Sequence, residues 1–81
     1  MRYHIVGMDN RGTDRHPFGK IYLATEPGGE IVGNIGYGAH RENSDPYAVW
    51  PTRETPTLGR DHSLVDRAQA MLRKAFPDAG R

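Results

Sequence analysis

The feature that most constrains this chain lies near its C-terminal end. Leu64, Val65, Ala68, Met71, Leu72, Ala75 and Phe76 fall at i, i+1, i+4, i+7, i+8, i+11 and i+12, one apolar stripe at the helical period. Ser63 stands where an N-cap is wanted, with Asp66 three positions on in a capping-box arrangement. Asp66 in the first turn and Arg73 and Lys74 near the last complement the helix dipole. Pro77 prevents continuation. Such a helix is about 20 Å long, the span of a strand of roughly six residues. It must bury its stripe against another layer, and Arg67, Arg73 and Lys74 then form a basic outer face.

The rest of the chain offers strands. Residues 2–8 read as a first strand with apolar groups on both faces, which points to an interior position. Residues 9–17 are polar, with a turn at Asn10-Arg11-Gly12 and a mobile tip. Residues 18–25 form a second strand in which Ile21 and Leu23 face the helix. Glu26-Pro27-Gly28-Gly29-Glu30 is a strong turn signal: proline pre-sets φ at the first central position and glycine permits a positive φ at the next. Residues 31–37 return as a third, antiparallel strand. It is interrupted by Gly33 and Gly36 and followed by Gly38, a pattern expected of a bent or bulged strand whose gaps an aromatic ring, Tyr22 or Trp50, covers. Residues 39–46 are a polar loop, 47–50 a short fourth strand stopped by Pro51, and 52–62 an ordered crossover to the helix.

The expected architecture is therefore α+β: a single domain over residues 1–81, with an antiparallel sheet of three to four strands and one C-terminal amphipathic helix across one face. The core is expected from Tyr3, Ile5, Val6, Met8, Phe18, Ile21, Tyr22, Leu23, Ile31, Val32, Ile35, Tyr37, Val49, Trp50, Leu58 and the helix stripe. That is enough for one two-layer core and too little for a large internal cavity.

Composition narrows the chemistry. The chain has no cysteine, which removes disulfides, thiolate metal sites and cysteine nucleophiles together and favours a reducing, cytoplasmic compartment. No apolar run resembles a signal peptide or a membrane span. The net charge of +1 is balanced, whereas a dedicated nucleic-acid binder usually carries a basic excess.

Candidate motifs carry little catalytic chemistry. Gly33-x-x-Gly36-x-Gly38 is not followed by a helix, so it lacks the strand–loop–helix order of a phosphate cradle. His4, His16, His40 and His62 stand singly, without the paired spacing of a metal site. Asp61-His62-Ser63 spells the letters of a catalytic triad, but adjacent residues cannot converge as a triad requires; Ser63 is better employed as the helix cap. Glu26 and Glu30 flank an exposed turn, not the shielded pocket that acid–base catalysis needs.

These patterns point to a non-enzymatic binding module without metal or cofactor. The loop 39–46 is the expected contact surface. Tyr37, Tyr47 and Trp50 bracket it and His40 and Arg41 lie within it, a mixture of the residue types that dominate interface hot spots. The open sheet face and the basic helix face are the competing surfaces. The expected partner is a protein, free-standing or within a nucleoprotein complex, in preference to free nucleic acid or a membrane. Small cysteine-free chains of this kind are common among phage and mobile-element products that inhibit host machinery, anti-CRISPR proteins among them. The alternative is a DNA-binding module that lays a βββα sheet face in the major groove with Lys20, Tyr22, Arg41 and Arg53.

Overall fold

The turn at 26–29 forms as its residues dictate: Gly28 takes φ of 69° and the Gly29 N–H donates to the Glu26 carbonyl at 3.0 Å. It joins β2 (Phe18–Ala24) to β3 (Ile31–Gly38). The computed structural model, which describes residues 2–39 and 44–79, adds β1 (His4–Asn10) on the far side of β2 and β4 (Val49–Pro51) beside β3. The result is a four-stranded antiparallel sheet in the order β1-β2-β3-β4, followed by α1 (Leu64–Ala75). This is the α+β architecture expected from the sequence.

Register decides which residues face the helix. Ile21 pairs with Ile35, Gly19 with Tyr37 and Tyr37 with Val49. Ile21, Leu23, Ile35 and Tyr37 form the core with Leu64, Ala68, Leu72 and Phe76 of the helical stripe. Alternation then directs Phe18, Lys20, Tyr22, Asn34 and Trp50 to the opposite face, since Phe18 pairs with Gly38, Lys20 with Gly36, Tyr22 with Asn34 and Gly36 with Trp50. No helix of the described residues covers that second face.

Several expectations are corrected. β1 is an edge strand, because in this meander it pairs with β2 alone; a register shift between Ile5 and Gly7 interrupts it. Met8, Phe18, Ile31, Val32 and Val65, expected in the core, are 36–54% exposed, and Ala75 is also exposed. Pro51 does not stop β4 but is its last residue, opposite Ile35. Ser63 does not cap the helix with its side chain; it is itself αR, at φ −91° and ψ −6°. Residues 9 and 10, expected in the polar connection, belong to β1, and the turn beyond it is bonded: Asn10 Oδ1 accepts from the Gly12 N–H at 3.0 Å, and Arg11 N–H donates to the Phe18 carbonyl at 2.8 Å.

The crossover is ordered as expected. Asn34, buried on the open side of β3, ties it down. Its carboxamide donates to the Glu54 carboxylate and accepts from the Thr52 hydroxyl at 2.6 Å, and the Asn34 carbonyl accepts from the Thr55 hydroxyl at 2.8 Å. No helix of the described residues is long and apolar enough to cross a membrane.

Candidate functional site: a hollow in the open sheet face

The aromatic residues expected around the loop do not come together. Tyr37 is completely buried on the helix side. Its ring stacks with Phe76 at 6.4 Å and its hydroxyl donates to the Asp9 carbonyl at 3.2 Å, so its side chain has no surface to offer a partner. Burial, and secondarily the nearby Asp9 carboxylate, pushes the phenol up to about 12. Tyr47 also turns toward the helix. Its hydroxyl donates to the Phe76 carbonyl at 2.7 Å, and the Arg73 guanidinium lies 5.2 Å from its ring centre. Trp50 belongs to the opposite face. His40 and Arg41 lie outside the described residues.

Asp61-His62-Ser63 resolves into a structural clamp. The Asp61 side chain is 1% exposed. It accepts from the Tyr3 N–H at 2.7 Å, from Arg67 Nη2 at 2.8 and 2.9 Å, and from the Ser63 hydroxyl at 3.3 Å. Burial alone pushes this carboxyl up; the Tyr3 N–H, the Arg67 guanidinium and the Ser63 hydroxyl outweigh it and hold the group below the ordinary value. Arg67 also donates to the Tyr3 carbonyl at 2.7 Å and to Ser63 Oγ at 3.1 Å. The clamp fastens the chain entering β1 to the start of α1. Arg67, expected on the basic solvent face, is the centre of this network. Among the described residues no group of three or more His, Asp or Glu is placed to hold a metal ion.

The open face is shaped by glycine. A Cβ on Gly36 would stand 2.5 Å from Trp50 Nε1 and 2.7 Å from Cε2, so the indole lies over this residue, as one of the rings expected to cover a glycine gap. Gly38 has φ of 123°, a region that disfavours side chains, and a Cβ there would stand 2.7 Å from Phe18 Cβ. β3 therefore presents no side chain opposite Phe18 or Lys20. The indole and Phe18 fill the space over these glycines, and a cleft of about 180 Å³ is lined by Arg11, Phe18, Gly19, Lys20, Tyr37 and Trp50.

Two ion pairs border it. Arg11 Nε lies 3.1 Å from Asp9 Oδ2, and Lys20 Nζ lies 3.8 Å from Glu54 Oε2. Phe18 is 49% exposed at its rim. Sequence reasoning placed Phe18 in the core and gave Arg11 to a turn. The signal that would have found them, the alternate glycines at 36 and 38, becomes readable only when the register opposite β2 is known.

A second cleft, of about 140 Å³, separates β4 from the start of α1 and is lined mainly by apolar residues, among them Val49, Pro51, Leu58 and Val65. It lacks a charged side chain among its lining.

Comparison of the chain with protein-family models, with curated proteins and with solved structures finds no match.

Proposed function

We propose that this protein is a non-enzymatic binding module whose open sheet face receives a protein partner. The observation that carries the reading is the hollow between Phe18 and Trp50, which combines exposed aromatic surface with adjacent cations on the face that no helix covers. Tryptophan and arginine are the residue types on which interface energy concentrates.

A protein partner fits better than duplex DNA. The cations at the hollow, Arg11 and Lys20, already face carboxylates at 3.1 and 3.8 Å, and the chain as a whole carries a charge of only +1. A DNA-binding surface draws its affinity from neutralising several phosphates. The narrower reading, an inhibitor encoded by a phage or mobile element, rests on size and the absence of cysteine alone.

Site-specific photocrosslinking in the cell of origin tests the proposal. Benzoylphenylalanine at position 18 or 20 is expected to yield adducts that protease removes and nuclease does not. The same group at position 74, on the outer face of the helix, is expected to yield none. Adducts from position 74 alone, or adducts that nuclease removes, overturn the reading. Binding to a short DNA duplex is expected to be no tighter than about 10 μM at physiological salt.

A further inference from the structure

We propose that β1 is a releasable edge strand latched by the Asp61 network, and that it opens as a unit while β2, β3, β4 and α1 stay folded. The core is closed largely without it. Ile21 and Leu23 of β2, Ile35 and Tyr37 of β3, and Leu64, Ala68 and Leu72 of α1 are all buried there. Every residue of β1 is half-buried or exposed, and Ile5 packs against the core only as a partly buried neighbour. Tyr3, just ahead of the strand, is the one buried core residue on this side. β1 pairs with β2 alone. The register shift between Ile5 and Gly7 divides that ladder into His4–Ile5 and Gly7–Asn10, and a bulge leaves a residue unpaired. Without β1, three strands and a helix remain, a set that can hold a hydrophobic face together.

Beyond the ladder, the strand is fastened near its two ends, and unequally. At the start, the Tyr3 N–H donates to Asp61 Oδ2 at 2.7 Å and the Tyr3 carbonyl accepts from Arg67 Nη1 at 2.7 Å, while the Tyr3 hydroxyl donates to the Thr57 carbonyl at 3.2 Å. The first two bonds are charge-assisted and short. At the far end, the Asp9 carbonyl accepts from the Tyr37 hydroxyl at 3.2 Å, a neutral bond that is long for its type. The start of the strand is therefore the end that holds it. Asp61 and Arg67 also bond each other directly, at 2.8 and 2.9 Å. When Tyr3 leaves, each charge keeps the other as partner, so opening does not strand a lone buried ion. Release turns β2 into the sheet edge. Local openings of this kind lie below global unfolding in free energy where an element carries few buried apolar contacts. The device does not depend on what the open face binds.

Native-state hydrogen exchange followed by nuclear magnetic resonance tests the latch, under conditions where reclosing outpaces exchange. In the wild type, the Tyr3 N–H and the protected amides of β1 are expected to exchange about tenfold or more faster than the slowest amides of β3. Their rates are also expected to respond less to low concentrations of urea, because opening one strand exposes less surface than unfolding the domain. Ile35 lies in β3 and is buried. Ile35→Val, a mild change that keeps the fold, is expected to speed the β3 amides about threefold. It is expected to leave the Tyr3 and β1 amides unchanged, since Ile35 stays packed when β1 opens. Asp61→Ala removes the acceptor of the Tyr3 N–H and is expected to speed the Tyr3 and β1 amides about tenfold. Equal rates and equal urea responses in β1 and β3 overturn the proposal, as does equal acceleration of both strands by Ile35→Val, because the domain then opens only as a whole. Unchanged Tyr3 and β1 rates in Asp61→Ala overturn the assignment of the latch to Asp61.

Discussion

The indole of Trp50 occupies the space that any side chain at position 36 would need. A Cβ built on Gly36 meets the indole nitrogen at 2.5 Å and Cε2 at 2.7 Å. The pair spans β3 and β4 directly, since Gly36 and Trp50 are register partners. The missing side chain on one strand and the large ring on the next are complementary halves of one packing solution. Gly36→Ala is therefore expected to displace the indole and to destabilise the domain by about 1–3 kcal/mol, the usual cost of overpacking. The check is a thermal melt followed by tryptophan emission, which is expected to start from a more solvent-exposed spectrum. An unchanged melting temperature and spectrum would show that the ring is not seated there.

Leu72 and Val65 lie on the same helical stripe but in different surroundings. Leu72 is completely buried, whereas Val65 is 44% exposed. Leu72→Ala is expected to cost about 2–5 kcal/mol, a large share of the stability of a domain this small. Val65→Ala is expected to stay within about 0.5 kcal/mol, as for other surface changes. Urea denaturation of the two variants measures the contrast, and equal losses would contradict the packing described.

Asp61 links β1 to α1 through the Tyr3 N–H and Arg67. Asp61→Ala leaves the Tyr3 N–H without its acceptor and takes one acceptor from the partly exposed Arg67 guanidinium, and is expected to cost about 1–3 kcal/mol. The folded pKa of Asp61 is lowered from 3.8. Its stabilisation is therefore complete above that unfolded value and is lost as pH falls from it through the folded value. Urea midpoints of the wild type and Asp61→Asn are expected to differ at neutral pH and to converge in acid. A gap that persists unchanged to low pH would show that the charge on Asp61 plays no part.

Tyr37 behaves in the opposite sense. Its folded pKa is pushed up to about 12 from 10.0, so the neutral phenol is the form the core accepts. The associated stabilisation is fully present below pH 10.0 and is lost as pH rises from there through about 12. In a spectrophotometric titration of the folded protein, one tyrosine is expected to ionise at about 12, and Tyr37→Phe is expected to remove that step. Persistence of the step in the variant would assign it to another residue.

The candidate site was less legible than the fold, and Tyr37 and Phe18 show why. Both are aromatic residues at the ends of strands, and composition treats them alike. The turn at Pro27-Gly28 sets Ala24 opposite Ile31. Carried on without interruption, that register would place Ile21 opposite Asn34 and Phe18 opposite Tyr37. The chain instead shifts register between Leu23 and Ala24, so that Leu23 meets Gly33, Ile21 meets Ile35 and Phe18 meets Gly38. A one-residue slip exchanges the faces of every side chain beyond it. This slip sends Tyr37 into the core beside Phe76 and leaves Phe18 at the rim of a hollow.

What the sequence determines by itself is what local chemistry can enforce. The helix follows from a 3.6-residue apolar period and Pro77, the β2–β3 hairpin from the φ preferences of Pro27 and Gly28, and the helix-facing side of β2 from the alternation of Ile21 and Leu23. The tertiary structure alone decides the rest. It takes the Ser63 hydroxyl from the helix amides into the Asp61–Arg67 network, because a buried carboxylate and a partly exposed guanidinium, both charged, compete for it more strongly than neutral amides do. It brings Arg11, Lys20, Phe18 and Trp50 around one hollow, because register and a bulge, which depend on contacts between distant segments, set which glycines stand opposite which rings.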